Sequence, residues 1–177
     1  MRQIYLRKRR LNKRSNIIAL VDDEDYERLN QYKWCLHKSS ENCFYAFRAR
    51  RITDTSTFTK VILLHREVLN FPNSKIDHID HNGLNCQKYN LRLATQQQNI
   101  MNSSKRKNTS SKYKGVSWHK VHNYWVASIK INGKSIHLGS NVNEISAAEL
   151  YNKAAIRYFG EFANLNIIEN GSNKTLG

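Results

Sequence analysis

Residues 75–102 read KIDHIDHNGLNCQKYNLRLATQQQNIMN, and the rest of the chain is organised around this stretch. A short apolar-basic run leads into Asp77, His78, Asp80 and His81, followed by repeated asparagine. Residues 75–79 form a strand in this reading. Residues 80–87 are a polar loop with Gly83 at its tight point, and Lys88 onward gives one or two helical segments. A histidine beside a carboxylate at a strand end can serve as a base next to a divalent cation, and a later carboxamide can complete the cation's ligands. Neighbouring strand residues point to opposite faces, so Asp77 and His78 converge on one reacting group only if the strand twists or bulges.

Composition narrows the partner. The chain has 177 residues, with 29 Lys plus Arg against 14 Asp plus Glu, a formal charge of +15. Such an excess favours a polyanion and fast, salt-sensitive association. No apolar run approaches the length of a membrane span. The basic start, MRQIYLRKRRLNKR, lacks the apolar region of a secretion signal. Cys35, Cys43 and Cys86 are odd in number and have no CxxC spacing, which suggests free thiols in a reducing compartment. The expected setting is the cytoplasm of a bacterium or archaeon.

Upstream of the decisive stretch, residues 1 to about 60 read as a leader to it. Ile17–Val21 is a strand candidate, and Asp22 and Asp23 favour a helix start that runs to Gln31. Trp34–Leu36, Phe44–Arg48 and Thr59–Leu64 read as further strands, and His65–Asn70 as one helical turn before Pro72. The runs RKRRLNKR and RARR are solvated faces or phosphate contacts, and a basic chain favours the second. Residues 103–112, SSKRKNTSSK, have no apolar periodicity and read as a linker.

Beyond the linker the pattern changes. YKGVSWHK, NYWVASIKI and KSIHLGS alternate as three strands should, and Asn132-Gly133 is a favoured two-residue hairpin turn. Asn143 caps a helix to about Phe159, with Gly160 at its C-terminal cap. Ala147, Ala148, Tyr151, Ala154, Ala155 and Tyr158 recur on it at helical spacing, small enough for close packing on the sheet. The fold class is α+β.

Two resemblances fit this organisation. Asp77-His78, the NLRLAT run from Asn90 to Thr95, and His65-Arg66 ahead of them resemble the HNH nuclease motif of phage and intron-encoded homing endonucleases. The signature triplet then falls on His78, Asn90 and Asn99. VDDEDYERLNQYKW also resembles the segment preceding this motif in phage HNH proteins. The block from Tyr113 to Asn166 resembles the DNA-binding domain of plant ethylene-response (APETALA-type) factors. Its landmarks are YKGV, Trp125-Val126-Ala127, Leu138-Gly139, the alanine-rich helix and FANLN at 162–166.

The resemblances imply a layout of 1–102 as a ββα-metal nuclease module, 103–112 as a basic linker, 113–166 as a DNA-binding domain and 167–177 as a tail. The second domain would be a three-stranded antiparallel sheet packed on one helix. They imply His78 as general base, with Asp77 and Asn99 holding Mg²⁺ or Mn²⁺. Asn90 would be structural, bridging the 80–87 loop, and His65 would pack under the site or orient a phosphate. Arg66, Lys114, Ser117, Trp118, His119, Ser128, Lys130, Lys134 and His137 would face double-stranded DNA, with Trp118 left open between DNA stacking and core. His81 stands where the family usually has Gly, and Cys86 where it usually has Asn. A zinc site from His65, His78, His81 and Cys86 is the less favoured cation reading, because its spacing is irregular. The activity implied is metal-dependent, site-directed DNA cleavage. A non-catalytic DNA-binding regulator and an RNA-binding basic protein are the alternatives.

Overall fold

The computed structural model describes residues 1–8, 13–40, 43–51 and 59–168. The fold is mixed α+β, with several sheets and few helices. Internal contacts divide the chain into two units, Met1–Gln96 and Gln97–Gly177.

The first unit is built on a five-stranded sheet of order β2-β1-β3-β4-β5, from β1 (Arg2–Lys8), β2 (Lys13–Val21), β3 (Cys35–Ser40), β4 (Cys43–Arg51) and β5 (Thr59–Leu63). Its pairings are antiparallel except β1 with β3, which meet at Arg7 and Cys35. The basic leader thus contains a strand: Ile4 and Leu6 alternate with polar residues and are buried. Of the RKRRLNKR run, residues 9–12 lie outside the described residues, as do 169–177 of the expected tail. The core gathers Ile4, Leu6, Val21, Leu29, Trp34 and Leu64, and the Trp34 indole donates to the Leu29 carbonyl at 2.8 Å.

α1 (Asp23–Asn30) follows β2 with three acidic residues in its first turn, where they complement the helix dipole. Asp22 occupies the cap position but makes no cap bond with its side chain. Its carboxylate instead accepts from the Lys88 backbone N–H at 2.7 Å and the Gln87 amide at 3.2 Å. It therefore ties the end of the 80–87 loop to the sheet. Leu20 does the same through its backbone, donating to Leu84 and accepting from Cys86.

α2 (Leu64–Val68) carries His65, Arg66 and Glu67. β6 (Lys75–His78) then pairs antiparallel with β7 (Leu91–Ala94), with a single 3₁₀ turn at Lys88–Asn90 between them. The helical expectation from Lys88 onward thus holds for the 3₁₀ turn, while Leu91–Ala94 directly after it is a strand. LRLA alternates apolar and polar, and as a strand it buries Leu91 and Ala94. α3 (Gln96–Met101) comes next.

In the second unit β8 (Val116–His119), β9 (Tyr124–Ile131) and β10 (Lys134–Asn141) form an antiparallel sheet of order β10-β9-β8. Asn132 and Gly133 both have positive φ, 49° and 81°, as a type I′ turn needs. α4 (Glu144–Phe159) is capped by the Asn143 side chain, which accepts from the Ile145 N–H at 2.8 Å. Its buried residues are Ala147, Ala148, Tyr151, Ala155 and Phe159; Tyr158, expected on that stripe, is exposed. Gly115 has φ 75°, and a Cβ there would sit 2.0 Å from the Tyr151 ring, so the sheet and helix close only over glycine.

Residues 103–112, expected as a linker, are bonded into the second unit. The Ser111 hydroxyl donates to the Glu144 carboxylate at 2.6 Å, and the Trp118 N–H donates to Ser110 at 2.9 Å. No helix among the described residues is long and apolar enough to cross a membrane.

Candidate active site

His78 ends β6 and is buried. Its ring lies 5.0 Å from that of His65 and perpendicular to it, and 5.9 Å from the Tyr45 ring. Burial pushes the His78 imidazole down to about 4, against the upward pull of the Asp80 and Asp77 carboxylates. Its titration is therefore displaced from the unperturbed range expected of it. The ring is neutral at ordinary pH, and burial leaves it a weaker proton acceptor than an ordinary imidazole. His65 is pushed down to about 3 by burial, with His78 and Arg66 alongside. Its Nδ1 is buried and has no hydrogen-bond partner among the described residues.

Asp77 points the other way. It stands opposite Arg92 in the β6–β7 register, and the pairing runs unshifted from Lys75 to His78. The expected bulge is absent from this pair, because each residue of β6 has its partner. Arg92 places Nε at 2.9 Å and a terminal nitrogen at 2.8 Å from one Asp77 oxygen. Arg92 was missed as a site residue, although the LRLA alternation, taken as a strand, would have set it opposite Asp77.

Below His78 the loop is held by Asn90. Its amide nitrogen donates to Asp80 Oδ1 and to the Asn85 carbonyl, both at 2.8 Å, and its oxygen accepts from the Asp80 N–H at 3.0 Å. Burial alone would raise the Asp80 carboxyl. Hydrogen bonds from Asn85, Asn82 and Asn90 win and hold it below the usual range. His81 turns this loop with φ 63°, a left-handed conformation that glycine adopts without strain.

Arg66 is drawn elsewhere. Its guanidinium donates to the carbonyls of Pro72 and Ser74, closing the 69–74 turn, so these bonds give it a bracing role. Arg48 of the RARR run is likewise committed: Nε and a terminal nitrogen meet the two oxygens of buried Glu67 at 2.8 and 2.9 Å. The phosphate-contact reading fails for that arginine, whereas Arg50 is exposed.

In the second unit, register sorts the expected contacts. Val116, Ala127 and Ile129 are buried on the α4 side. Ser117 pairs with Val126, His119 with Tyr124, and His137 with Ser128, so by alternation these and Lys130 share the opposite face. Lys134 is exposed at the hairpin. Two residues depart. Trp118 pairs with Trp125, rings 4.9 Å apart, which puts it on the α4 side. The Lys114 amine is half-buried and donates to the Met101 and Ser103 carbonyls, each at 2.6 Å, so it braces the start of the unit. Asn99 lies on α3, in the second unit.

Over 159 residues, 90% of this chain and 80% of the other, the sequence is 34% identical to a protein of Acanthamoeba polyphaga mimivirus named an uncharacterized HNH endonuclease. The chain belongs to the HNH endonuclease family. It is also 42% identical over 59 residues to protein 3.8 of Escherichia phage T7, covering 33% of this chain and 49% of that one. No family model and no solved structure matches it.

An HNH site implies a divalent cation, and the donors here can be tested for it. Asp77 offers carboxylate oxygen in a direction fixed by Arg92, and a hard cation such as Mg²⁺ binds through one or two carboxylates while keeping several waters. Among the described residues no group of three or more His, Cys, Asp or Glu side chains gathers to hold a metal ion, so Asp77 would be the charged ligand and waters would make up most of the rest. Zinc fits less well. The Cys86 thiol is fully buried in the apolar core cluster, with its sulfur against the Gly83 carbonyl at 3.9 Å, and the three or more protein ligands of a zinc site do not gather among the described residues.

Proposed function

We propose that this HNH protein is a metal-dependent, site-directed DNA endonuclease of the homing type, with His78 as its general base. The observation that carries the proposal is geometric: buried His78 ends β6, packed against His65 and next in sequence to a carboxylate whose direction Arg92 sets. Together with an HNH endonuclease relative over most of the chain, it supplies the two groups phosphodiester hydrolysis needs. By their order along the chain, β6, β7 and α3 constitute the ββα-metal module. Asp77 holds Mg²⁺ or Mn²⁺, and Asn99 joins it by its place in the motif.

In the proposed step, His78 takes the proton of a water that attacks phosphorus in line. His65 packs against His78 and limits its tilt, while Asn90 and Asp80 keep the loop that follows it in one shape. When bound, the cation neutralises charge on the phosphate and the departing 3′ oxygen, which leaves a 5′ phosphate. The second unit holds duplex DNA as an ethylene-response-factor-like domain, using the face that carries Ser117, His119, Ser128, Lys130 and His137, with Lys134 at its flank.

One observation favours a second reading, a DNA-binding regulator that has lost cleavage. Arg92 sets two nitrogens on one oxygen of Asp77, and Asp77 and His78 leave β6 on opposite faces. Incubating supercoiled plasmid with wild-type or His78→Ala protein, in Mg²⁺, Mn²⁺ or EDTA, separates the two. Metal-dependent nicking that falls by about 10²- to 10⁴-fold in the variant supports the nuclease. Tight binding without cleavage in any metal supports the regulator.

A further inference from the structure

We infer that Tyr45 is a positioning residue for His78: its ring, wedged against His65 and His78 and backed by Gly83, sets the direction of the imidazole. The inference rests on the assignment of His78 as base. Three aromatic rings close on one another, Tyr45 to His65 at 5.5 Å and 65°, Tyr45 to His78 at 5.9 Å and 48°, and His65 to His78 at 5.0 Å and 88°. Two perpendicular imidazoles leave a corner, and the tilted phenol fills it.

Tyr45 has no comparable work in the core. Along β4 its neighbour Ala46 is buried in the apolar cluster, and alternation turns Tyr45 to the other side. Among the described residues Tyr45 is not part of that cluster. It meets the two histidines and the loop that follows His78, and its hydroxyl shares a hydrogen bond with the Cys43 side chain two residues back on β4. Gly83 shows how tight this is. A Cβ there would lie 2.7 Å from two Tyr45 ring atoms and 2.3 Å from the Phe44 carbonyl oxygen. The loop thus presses its bare backbone on the ring, which only a glycine at this position allows. Burial, with the Cys43 thiol and the Asp77 charge nearby, pushes the Tyr45 hydroxyl up to about 12, so it stays protonated and adds no charge beside His78.

An imidazole that must receive a proton from one water is sensitive to its direction, and a misplacement near 1 Å can cost roughly a hundredfold. Because the flat face does the positioning, phenylalanine should replace tyrosine and an aliphatic side chain should not. The test compares full-length Tyr45→Phe and Tyr45→Leu with wild type in two ways. Cleavage kinetics on a linear duplex should show Tyr45→Phe within about twofold of wild type. Tyr45→Leu should lose roughly ten- to a hundredfold in kcat with KM unchanged. Histidine ¹⁵N spectra of the metal-free proteins should show the His78 ring resonances unmoved in Phe, shifted in Leu, and those of His119 and His137 constant in both. If Leu unfolds the protein, Tyr45→Met, of similar bulk without a flat face, replaces it. Wild-type kcat and unmoved His78 resonances in the aliphatic variant would overturn the inference. So would a Phe variant as impaired as Leu, which would assign the effect to the hydroxyl. A wild type that cleaves nothing defeats the nuclease reading alone, since the spectra still decide whether Tyr45 orients His78.

Discussion

The two units treat polar residues in opposite ways. The first encloses them: Glu67, Asp77, His65, His78 and Asn90 are buried, with Arg48 and Arg92 nearly so. The second fills the space between sheet and helix with Val116, Ala127, Ala147 and Ala148. Its sheet turns Ser117, His119, Ser128, Lys130 and His137 outward, with Asn102 and Ser111 buried ahead of the sheet. Burying a charge or an imidazole is costly unless it is bonded, whereas an exposed one costs little and contributes little to stability. Polar substitutions in the first unit should therefore change stability and chemistry, and those on the second unit's outer face should change association alone.

The sharpest way to break this contrast is Glu67→Ala. It leaves the Arg48 guanidinium, 12% exposed at its side chain, without either carboxylate oxygen. Removing one partner of a buried pair typically costs about 3 to 5 kcal/mol, and a chemical denaturation curve should show a loss of that size. A loss below about 1 kcal/mol would mean the pair behaves as a surface one. Next comes Arg92→Met, which keeps the bulk and removes the bonds that aim Asp77. Titration calorimetry should show Mn²⁺ affinity falling by about 10- to 100-fold, the usual consequence of losing an orienting neighbour. Unchanged affinity would leave Arg92 a packing role only.

The second unit's layout was the more legible from sequence, for a physical reason. Its three strands are half-exposed, so period-two alternation, the Asn132-Gly133 turn and the Asn143 cap are all visible in local sequence. In the first unit, local signals were overruled by distant ones. Ile4 and Leu6 are a strand masked by basic neighbours. Asp22 sits where a helix cap belongs, yet its carboxylate bonds to residues 65 and 66 positions away. Leu91–Ala94 is a strand set between the helical segments expected from Lys88 onward, and its alternation already indicates as much. Of the site, the motif places Asp77, His78 and Asn90 by themselves. Arg92 needs the β6–β7 register, and Tyr45 needs a contact between β4 and a loop some forty residues later, which no spacing encodes.

Lys114 is the second unit's exception, an inward cation, and pH exposes it. Burial pushes its amine from 10.5 down to about 8. The unfolded chain then binds more protons than the folded one between about pH 8 and 10.5. The contribution of this site to stability is therefore fully present above that window and is lost as pH falls through it to about 8. Melting wild type and Lys114→Met side by side should show the wild type gaining on the variant from pH 8 to 10, and a constant gap would deny the linkage. A smaller effect is expected at His81, whose φ of 63° costs about 1 to 2 kcal/mol for a residue with a Cβ. Glycine relieves that strain but loosens the unfolded chain by about 0.4 to 1 kcal/mol, so His81→Gly should stabilise by roughly 0.5 to 1 kcal/mol. Destabilisation would show that the His81 side chain contributes more than its backbone loses.

The smallest effect on the fold is expected at Lys130, and it tests the contrast from the other side. Lys130 is exposed on β9, on the face shared by Ser128 and His137, whereas Lys114 lies a short distance along the chain with its amine bonded inward. Replacing an exposed lysine without a structural partner usually leaves stability within about 0.5 kcal/mol. A lysine that neutralises one phosphate, however, releases counterions, and its removal lowers the slope of log affinity against log salt by about 1. Lys130→Ala should therefore leave the melt unchanged and flatten the salt dependence of duplex binding. Lys114→Met should do the reverse, altering the pH dependence of the melt and sparing the salt slope. If both lysines flatten the slope equally, the distinction between outward and inward cations has no bearing on DNA, and the outer face of the sheet loses its assignment.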